Sequence, residues 1–489
     1  MNKLNIFRII HYQHYLLQLE EYNLSRFLKV IKITKGIPPK DLRKNINPTL
    51  KITLIILLSL LLQLKISIII ALLFYFLIAK ELIIFTLIFL VFSFIFSYIH
   101  FIFISTIVFI LSPLDYFIKE RIIASAQKKL KSYPDLKIIG IAGSFGKTTF
   151  KEVLFNVLSE KYKVLKTPKN INTPLGISNF ILNNLEKDTK IFIVEMGEYY
   201  KGDIKNICRI TPPDIIVITG INEAHLEKMG SLDTTISTIF EIADNYKKEA
   251  TVFMNADSKL VVENYEKYTE SKKTVFFSSH NNKLSEYESK NVQFDETNLS
   301  LSFDLYFGNK LITKITTLVL GEYIIGDIIG TLQIAKLMEI SEEEIKKGLA
   351  KLKPVNHRLE PIINKNTQVT VIDDSYNGNP DGVEEAIKLL AKFKDKRKIY
   401  LTPGLVETGE RKEEIHYNIG KRLSVVADIV ILIKNSVTPF IAKGLKDNKF
   451  PEKNIILFET VKEAHDSLSG ILKSKDVILF QNDWPDNYF

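Results

Sequence analysis

Cysteine is nearly absent from this sequence of 489 residues, which contains one, Cys208. A single thiol excludes a framework of disulfides and a zinc site built on several thiolates. Disorder is also excluded as the main state, because 46% of the residues are hydrophobic and 25% are charged, as in globular proteins. The chain is too long for one ordinary hydrophobic core, so we expect two or three domains.

Acidic residues are scarce in the first quarter of the chain. Up to Lys137 there are 18 Lys and Arg against 7 Asp and Glu, a net charge of +11. The remainder holds 47 basic and 49 acidic residues, so the positive excess of the whole chain lies in this first quarter. Because the larger part of the protein has no basic excess, we expect no nucleic-acid partner.

Charges are almost missing between Ile52 and Ser112, where Lys65, Lys80 and Glu81 interrupt 61 mostly apolar residues. Since one membrane span needs about 20 apolar residues, residues 52–112 predict two spans with a turn near Lys80 and Glu81. Three spans with a turn at Lys65, or a pair of very apolar core helices, are the alternatives. No cleavable signal peptide fits, because about 50 polar and basic residues precede the tract.

Basic segments flank the apolar tract on both sides. They are residues 1–51 before it and residues 113–136, expected to form a linker helix, after it. The positive-inside rule places both flanks in the cytoplasm, which predicts a multi-pass protein of the cytoplasmic membrane with cytoplasmic soluble domains. Residues 13–32 predict one basic amphipathic helix that lies on anionic lipid, or else a solvated helix packed on the soluble part.

A glycine-rich loop follows the first buried strand of the soluble part, and a helix from Phe150 to Tyr162 follows the loop. Glycines at a helix N-terminus let backbone N–H groups approach phosphate oxygens. Lys147 would reach the β- and γ-phosphates of ATP, and the Thr148 hydroxyl would coordinate Mg²⁺. A turn without a ligand is the alternative, since Ile141 replaces the first glycine of the strict motif. The predicted nucleotide-binding residues are Gly143, Ser144, Phe145, Gly146, Lys147, Thr148 and Thr149.

Further motifs follow this loop in the order found in the Mur ligases, the ATP-dependent amide-forming enzymes of cell-wall precursor synthesis. The resemblance extends from about Lys137 to Phe489, and the D-D-x-Y-N-x-N-P form resembles the branch that adds D-alanyl-D-alanine to UDP-N-acetylmuramoyl-tripeptide. The segments that carry the resemblance are Gly143–Thr149, Asn170–Gly176, Ile191–Gly197, Thr219–Ser231, His357–Glu360, Asp373–Pro380 and Thr402–Glu407.

The resemblance implies amide formation through an acyl phosphate made from ATP. The partners it implies are a muramyl-peptide precursor and D-alanyl-D-alanine or a similar amino-acid acceptor. It implies that Arg358 and Asp374 reach ATP from the C-terminal domain as the domains close. Asn-Gly-Asn-Pro could otherwise be a simple turn. The substrate-side residues that the resemblance implies are Asn172, Thr173, Tyr376, Asn377 and Asn379.

Two side chains at strand ends are candidate metal ligands. Glu195 ends a buried apolar strand, and His225 follows another, so both should meet at the carboxyl edge of one sheet. With Thr148 they form the predicted Mg²⁺ site, and with Lys147 and Arg358 they form the predicted catalytic set. The alternatives are a helix-capping carboxylate for Glu195 and a structural histidine for His225.

Three departures from the family pattern weaken this interpretation. Ile239 stands where the family has a lysine that is carbamoylated to hold a second Mg²⁺, two residues before the glutamate matched by Glu241. Ile324 and Asp327 replace two asparagines, one of which helps to bind adenine in the family. The membrane module stands in place of the usual UDP-binding domain. A lipid-linked donor, a ligase of another branch and a non-catalytic membrane scaffold therefore remain alternatives.

The predicted fold class is α/β. N-terminal transmembrane helices precede a P-loop-type central ATPase domain, residues 137–353, and a Rossmann-like C-terminal domain, residues 354–489, with the boundary at Lys353-Pro354. An antiparallel flap is expected within residues 276–320, and the catalytic part is expected to be monomeric. The other predicted strands are residues 190–194, 214–219, 251–255, 369–372, 398–402, 429–433 and 477–480.

Overall fold

The chain is divided into two units by its internal contacts. An N-terminal unit extends to Arg121, and an α/β unit runs from Ile122 to Asp486. The structure, a computed structural model, describes residues 6–38, 46–77, 81–168, 171–222, 229–244, 247, 249–269, 272–376, 378–405 and 408–481.

Helices make up the regular structure described in the N-terminal unit. They are α1 (Ile6–Leu19), α2 (Leu24–Thr34), α3 (Leu50–Leu77), α4 (Leu82–Tyr98) and α5 (His100–Lys131). The single helix predicted over residues 13–32 is wrong, because Glu21 and Tyr22 adopt left-handed backbone angles between α1 and α2. Asn23 then begins α2, since its side chain accepts a hydrogen bond from Arg26 N at 3.1 Å.

The apolar tract forms α3, α4 and the first part of α5. Two of these helices, α3 and α5, are long and apolar enough to cross a membrane by length and composition. The break between α3 and α4 is close to the turn predicted at Lys80 and Glu81, although Lys80 itself lies outside the described residues. Lys65 lies within α3, so the alternative turn at Lys65 is wrong.

The predicted linker helix, residues 113–136, is not a separate element, because α5 continues through Pro113. Proline has no N–H to donate to the carbonyl four residues earlier. The Ser112 hydroxyl donates instead to that carbonyl, Phe109 O, at 2.8 Å. The end of α5 belongs to the α/β unit, where Ile123 and Ala126 are buried in its core.

A six-stranded parallel sheet forms the first half of the α/β unit, in the order β2-β3-β1-β4-β5-β6. Its strands are β1 (Lys137–Ala142), β2 (Val164–Lys166), β3 (Ile191–Glu195), β4 (Ile215–Ile218), β5 (Thr251–Asn255) and β6 (Thr274–Phe277). The helices around it are α6 (Lys147–Leu158), α7 (Pro174–Asn184), α8 (Asp203–Ile210), α9 (Leu232–Phe240), α10 (Lys259–Thr269), α11 (Tyr323–Leu337) and α12 (Glu342–Ala350).

A three-stranded antiparallel sheet lies between α10 and α11 in the sequence. It comprises β7 (Tyr287–Asp295), β8 (Ser300–Phe307) and β9 (Lys310–Thr317), within the predicted flap. The flap was predicted to begin at Phe276, but that residue belongs to β6 of the parallel sheet.

The second half of the α/β unit contains a six-stranded sheet in the order β10-β11-β15-β12-β13-β14, in which β10 alone among these strands is antiparallel to its neighbour. Its strands are β10 (Glu360–Ile363), β11 (Thr370–Asp374), β12 (Lys398–Thr402), β13 (Ile429–Ile433), β14 (Ile455–Phe458) and β15 (Val477–Gln481). Its helices are α13 (Pro380–Ala391), α14 (Lys412–Leu423), α15 (Thr438–Asp447) and α16 (Val461–Ile471).

Both large sheets bury apolar side chains on their two faces. In β1, Ile138 and Ala142 belong to one core and Ile139 and Ile141 to the other. This alternation follows from the two-residue repeat of a strand. Helices therefore cover both faces, and the carboxyl ends of the parallel strands remain the edge where loops can form a site.

Candidate functional site

The loop between β1 and α6 has a backbone that requires glycine at two positions. Gly143 and Gly146 have φ angles of +143° and +78°. A Cβ on Gly143 would also lie 2.3 Å from Thr219 Oγ1. Because Gly146 begins α6, the unpaired N–H groups of the first helical turn point toward the loop, as in a phosphate-binding site.

Lys147, the first residue of α6, is held by two acceptors beside the loop. Its Nζ donates to Gly143 O and to both carboxylate oxygens of Glu198, at 3.0 and 2.9 Å. The Glu198 side chain is 3% exposed and that of Lys147 is 13% exposed. Glu198 was missed from the sequence, because a glutamate three residues after a strand end carries no signal of this contact.

Glu195, at the end of β3, contacts Thr148, the second residue of α6. Thr148 Oγ1 donates to Glu195 Oε2 at 3.1 Å, and Lys151 Nζ donates to the same oxygen at 2.7 Å. Lys151 and Glu195 are both buried. The hydroxyl of Thr148 and the carboxylate of Glu195 are hard oxygen ligands on adjoining elements, so this pair fits Mg²⁺. His225, the third predicted ligand, lies outside the described residues.

The loop before α7 adjoins the end of β3. Asn172 O accepts from Gly197 N at 2.9 Å, and a Cβ on Gly197 would lie 2.9 Å from Asn172. The Asn172 side chain also hydrogen-bonds Tyr199, another residue that the sequence did not reveal. Burial, together with Glu198, Tyr376 and Glu195, raises the pKa of Tyr199 to about 12, although the hydrogen bond with Asn172 opposes the shift. Thr173 caps α7 by accepting from Gly176 N at 3.3 Å.

The two halves of the α/β unit meet through polar contacts near the phosphate loop. Asn222, which follows β4, donates to Asn379 Oδ1 at 3.0 Å and to Asp381 Oδ2 at 2.7 Å. Asn379 also caps α13 by accepting from Gly382 N at 3.0 Å. The Asn379 side chain therefore both caps α13 and joins the two halves of the α/β unit. Asn377 lies outside the described residues.

Arg358, Asp374 and Tyr376 lie together in the second half. The Arg358 guanidinium is 5.0 Å from the centre of the Tyr376 ring. Burial raises the pKa of Asp374 to about 7, although Arg358 and the N–H of Leu359 oppose the shift. The partly buried Tyr323 connects this group to α6, since its hydroxyl hydrogen-bonds Thr149 and its pKa is raised by burial and by Asp374.

The departures from the family pattern have structural consequences. Ile239 is fully buried in the apolar core, where it provides no metal ligand. Glu241 accepts from Gly202 N at 3.0 Å and Lys205 N at 2.9 Å, so it anchors the start of α8. Ile324 is likewise a core residue. Burial raises the pKa of Asp327 well above its usual value, and its Oδ2 has no hydrogen-bond partner among the described residues.

Two protein-family descriptions match the α/β unit. Residues 141–334 match the Mur ligase middle domain, and residues 357–481 match the Mur ligase glutamate ligase domain. Together these ranges cover more than half of the chain. They lie within the predicted central and C-terminal ranges, residues 137–353 and 354–489.

Proteins similar to this chain include three UDP-N-acetylmuramoyl-tripeptide–D-alanyl-D-alanine ligases. The Bacillus subtilis protein is 27% identical over 71% of this chain and 72% of its own length. The protein of Buchnera aphidicola subsp. Acyrthosiphon pisum is 30% identical over 60% of this chain and 62% of its own length. The Escherichia coli protein is 27% identical over 58% of this chain and 61% of its own length. The chain thus spans under two thirds of the length of two of these relatives.

Solved structures agree with these sequence relatives. MurF ligase from Thermotoga maritima in complex with ADP is 27% identical, with a TM-score of 0.64 over 74% of this chain and 80% of that one. MurF from Acinetobacter baumannii shares the fold at 22% identity, with a TM-score of 0.66 over 75% of this chain and 77% of that one. The phosphate loop, the two matched domains and these relatives lead to one conclusion: the chain belongs to the Mur ligase family.

Proposed function

We propose that this protein is a membrane-tethered, ATP- and Mg²⁺-dependent amide ligase. It attaches D-alanyl-D-alanine or a similar acceptor to a muramyl-peptide precursor at the cytoplasmic face of the membrane. Members of the Mur ligase family are ATP-dependent amide ligases, and the similar proteins named above add D-alanyl-D-alanine. The observation that supports this most directly is that Thr148, next to Lys147, contacts Glu195, while Thr149 bonds Tyr323, which Asp374 influences electrostatically.

The residues of the first half would bind and orient ATP. The N–H groups at the start of α6 and the Lys147 ammonium would hold the phosphates, where negative charge develops during transfer. Thr148 and Glu195, with His225 as the predicted third ligand, would hold Mg²⁺, which supplies further charge neutralisation. Phosphoryl transfer to the donor carboxylate gives an acyl phosphate, and attack by the acceptor amine forms the amide and releases phosphate.

The residues of the second half would close over the nucleotide. Arg358 provides the positive charge on this side, and Asp374 and Tyr376 lie beside it. Asn222 and Asn379 already join the two halves by a hydrogen bond. We propose that Asn172, Thr173, Tyr376, Asn377 and Asn379 line the substrate side of the site.

The membrane proposal is supported by the direction in which α3 buries its side chains. Its buried residues include Ser59, Gln63 and Ser67 beside Ile52, Ile55 and Ala71, whereas leucines such as Leu57 and Leu61 are more than half exposed. A core helix of a water-soluble protein has the opposite arrangement. Lipid favours exposed apolar side chains with polar groups satisfied between helices.

The number of crossings is supported by a contact between helix ends. Lys51, at the start of α3, pairs with Asp115 of α5 at 2.7 Å. The start of α3 and the region of α5 just beyond the apolar tract therefore lie on one side, as an even number of crossings requires. The exposed residues Lys29 and Lys32 of α2, and Lys35 directly after it, would contact anionic lipid at that cytoplasmic side.

A non-catalytic membrane scaffold is the second candidate function. It is favoured by the burial of Ile239, which removes a family metal ligand, and by Ile324 in place of an asparagine. A catalytic protein with a lipid-linked donor is a variant of the main proposal, because the usual UDP-binding domain is replaced by the membrane module.

The deciding experiment measures ATP-dependent phosphate release by the full chain in lipid. UDP-muramyl-peptides and lipid-linked precursors would be tested as donors with candidate amino acids as acceptors. The masses of the products would be measured by mass spectrometry. We expect the mass increase of one added dipeptide, and loss of release in Lys147→Ala but not in the exposed control Lys187→Ala. Absence of product with every substrate would favour the scaffold, and unchanged turnover in Lys147→Ala would exclude the phosphate-loop assignment.

A further inference from the structure

The residues on either side of Arg358 both adopt left-handed backbone angles. His357 has a φ angle of +61° and Leu359 one of +47°. In this conformation the Cβ of any residue other than glycine lies too close to the following carbonyl oxygen. Histidine tolerates it better than most residue types, whereas a bulky leucine adopts it only when other contacts enforce it. The conformation of this short segment is therefore held by its surroundings.

His357 is held by two carboxylates. Its ring Nδ1 donates to Asp373 Oδ2 at 2.7 Å, and its backbone N–H donates to Glu360 Oε2 at 3.0 Å. Glu360 and Asp373 lie opposite each other in the antiparallel pair of β10 and β11. Asp373 is itself fixed, because its other oxygen accepts from Ser375 N at 3.0 Å. Both acceptors of His357 thus belong to paired strands.

Leu359 is held on the other side of Arg358. Its N–H donates to Asp374 Oδ1 at 3.3 Å, and its side chain is buried in an apolar cluster that includes Ile372. Asp373 and Asp374 are consecutive residues of β11, so their side chains point to opposite faces of the sheet. One aspartate therefore fixes the residue before Arg358, and the other fixes the residue after it.

Arg358 lies between these two fixed residues. Its own N–H donates to Val355 O at 3.0 Å, and its guanidinium is 5.0 Å from the centre of the Tyr376 ring. A long, flexible side chain loses less conformational entropy on binding when its backbone already has the required orientation. The contacts of His357 and Leu359 therefore determine the position from which the Arg358 guanidinium reaches a bound nucleotide.

We propose that His357 and Asp373 are positioning residues for Arg358. They hold the backbone so that the Arg358 guanidinium meets the nucleotide phosphates, and they contact neither nucleotide nor substrate themselves. This inference rests on the proposed function, in which Arg358 contacts ATP. It gives a reason for two left-handed residues beside the site, because strained residues persist where the surrounding structure enforces them.

The first test is the affinity of the full chain for β,γ-imido-ATP, a non-hydrolysable ATP analogue, in the presence of Mg²⁺. His357→Gly suits the left-handed angle but removes the contact with Asp373, so we expect about tenfold weaker binding as Arg358 loses its position. His357→Asn also tolerates the angle and keeps an N–H donor, so it should recover most of this loss.

The matched control is Lys449→Gly. Lys449 is another left-handed residue, with a φ angle of +62°, and lies exposed after α15. We expect no change in affinity for this control. Equal affinities of His357→Gly and the unaltered chain would overturn the proposal, as would an equal loss in His357→Gly and His357→Asn.

The second test separates positioning from a general structural role. In a chain that already carries Arg358→Ala, His357→Gly should weaken binding of the analogue no further, because its effect is exerted through Arg358. A full further loss in this background would overturn the inference while the proposed function stands. If Arg358→Ala alone leaves the affinity unchanged, or the unaltered chain does not bind the analogue, the proposed function fails, and this inference with it.

Discussion

The two units of the protein differ in the side chains that their apolar elements bury and leave exposed. In the α/β unit, strands such as β3 bury Ile191, Phe192, Ile193 and Val194. In the N-terminal unit, α3 buries Ser59, Gln63 and Ser67 beside Ile52, Ile55 and Ala71, and leucines such as Leu57 and Leu61 are more than half exposed. The same physical rule, that each surface matches its solvent, accounts for both if water surrounds one unit and lipid the other.

Several polar groups buried in the N-terminal unit hydrogen-bond one another across helices. Ser59 Oγ lies 3.1 Å from His14 Nε2 of α1 and 3.2 Å from His100 Nε2 of α5. His100 Nδ1 lies 2.5 Å from Gln63 Oε1, and the Gln63 amide donates to Ser93 O. These contacts connect four helices by hydrogen bonds, in addition to the apolar cluster that includes Leu16, Ile55 and Ile104. The comparison therefore predicts that equivalent substitutions have different effects in the two units.

The largest effect is expected for the buried ion pair of the α/β unit. Lys151→Ala leaves the Glu195 carboxylate buried without its ammonium, which costs about 3–5 kcal/mol of folding free energy. The measurement is the denaturant midpoint of the full chain in detergent. Lys259→Ala, which removes an exposed pair with Glu263, should leave the midpoint unchanged. A similar small change in both variants would contradict the importance of burial.

The next effect concerns the pH dependence of the α/β unit. Asp374 has its pKa raised by burial from 3.8 to about 7, so the folded state keeps this proton while the unfolded state loses it above about pH 4. Stability from this group is therefore fully present below about pH 4 and is lost as the pH rises to about 7, by about 1.4 kcal/mol per pH unit. Asp374→Asn should remove this slope from unfolding curves measured between pH 4 and 7. If the pH dependence of stability persists in Asp374→Asn, it arises from another titrating group.

A smaller effect is expected when a charge is placed on the exposed apolar surface of each unit. Leu61→Asp puts a carboxylate on the outer face of α3 and should cost about 2.5–3.5 kcal/mol of membrane insertion. Val425→Asp alters an apolar side chain of the α/β unit that is 78% exposed and should have almost no effect. Alkaline extraction of membranes measures the difference. If Leu61→Asp remains fully membrane-bound and stable, the proposed lipid-facing surface is wrong.

Much of the fold was predictable from the sequence where local patterns coincide with burial. The strands predicted at residues 251–255, 398–402 and 429–433 have the same bounds in the structure. The helix predicted over residues 13–32 is interrupted at Glu21 and Tyr22, which adopt left-handed backbone angles. The prediction missed this break because neither residue type is typical of turns. Asn23 was the available signal, since asparagine favours the start of a helix.

The candidate site was predictable only where residues follow strand ends. Thr148 and Glu195 were expected to meet because parallel strands and the loop after β1 share one edge of the sheet, and they lie 3.1 Å apart. Lys151 has the sequence appearance of a solvated helix residue but is fully buried. Glu198 and Tyr323 reach the site through contacts between distant segments, which no local pattern reveals.

The smallest effect is expected for the polar contacts between the helices of the N-terminal unit. Ser59→Ala removes the hydroxyl shared by His14 and His100, and interhelical hydrogen bonds in lipid contribute about 0.6 kcal/mol on average and about 1.7 at most. The matched control is Ser105→Ala, whose hydroxyl donates to Phe101 O of its own helix at 2.7 Å. A fluorescent pair on α3 and α5, followed during titration with a denaturing detergent, measures both. Equal midpoints for the two variants would mean that the apolar cluster around Ile55 and Ile104, and not this hydrogen bond, determines how α3 and α5 are held together.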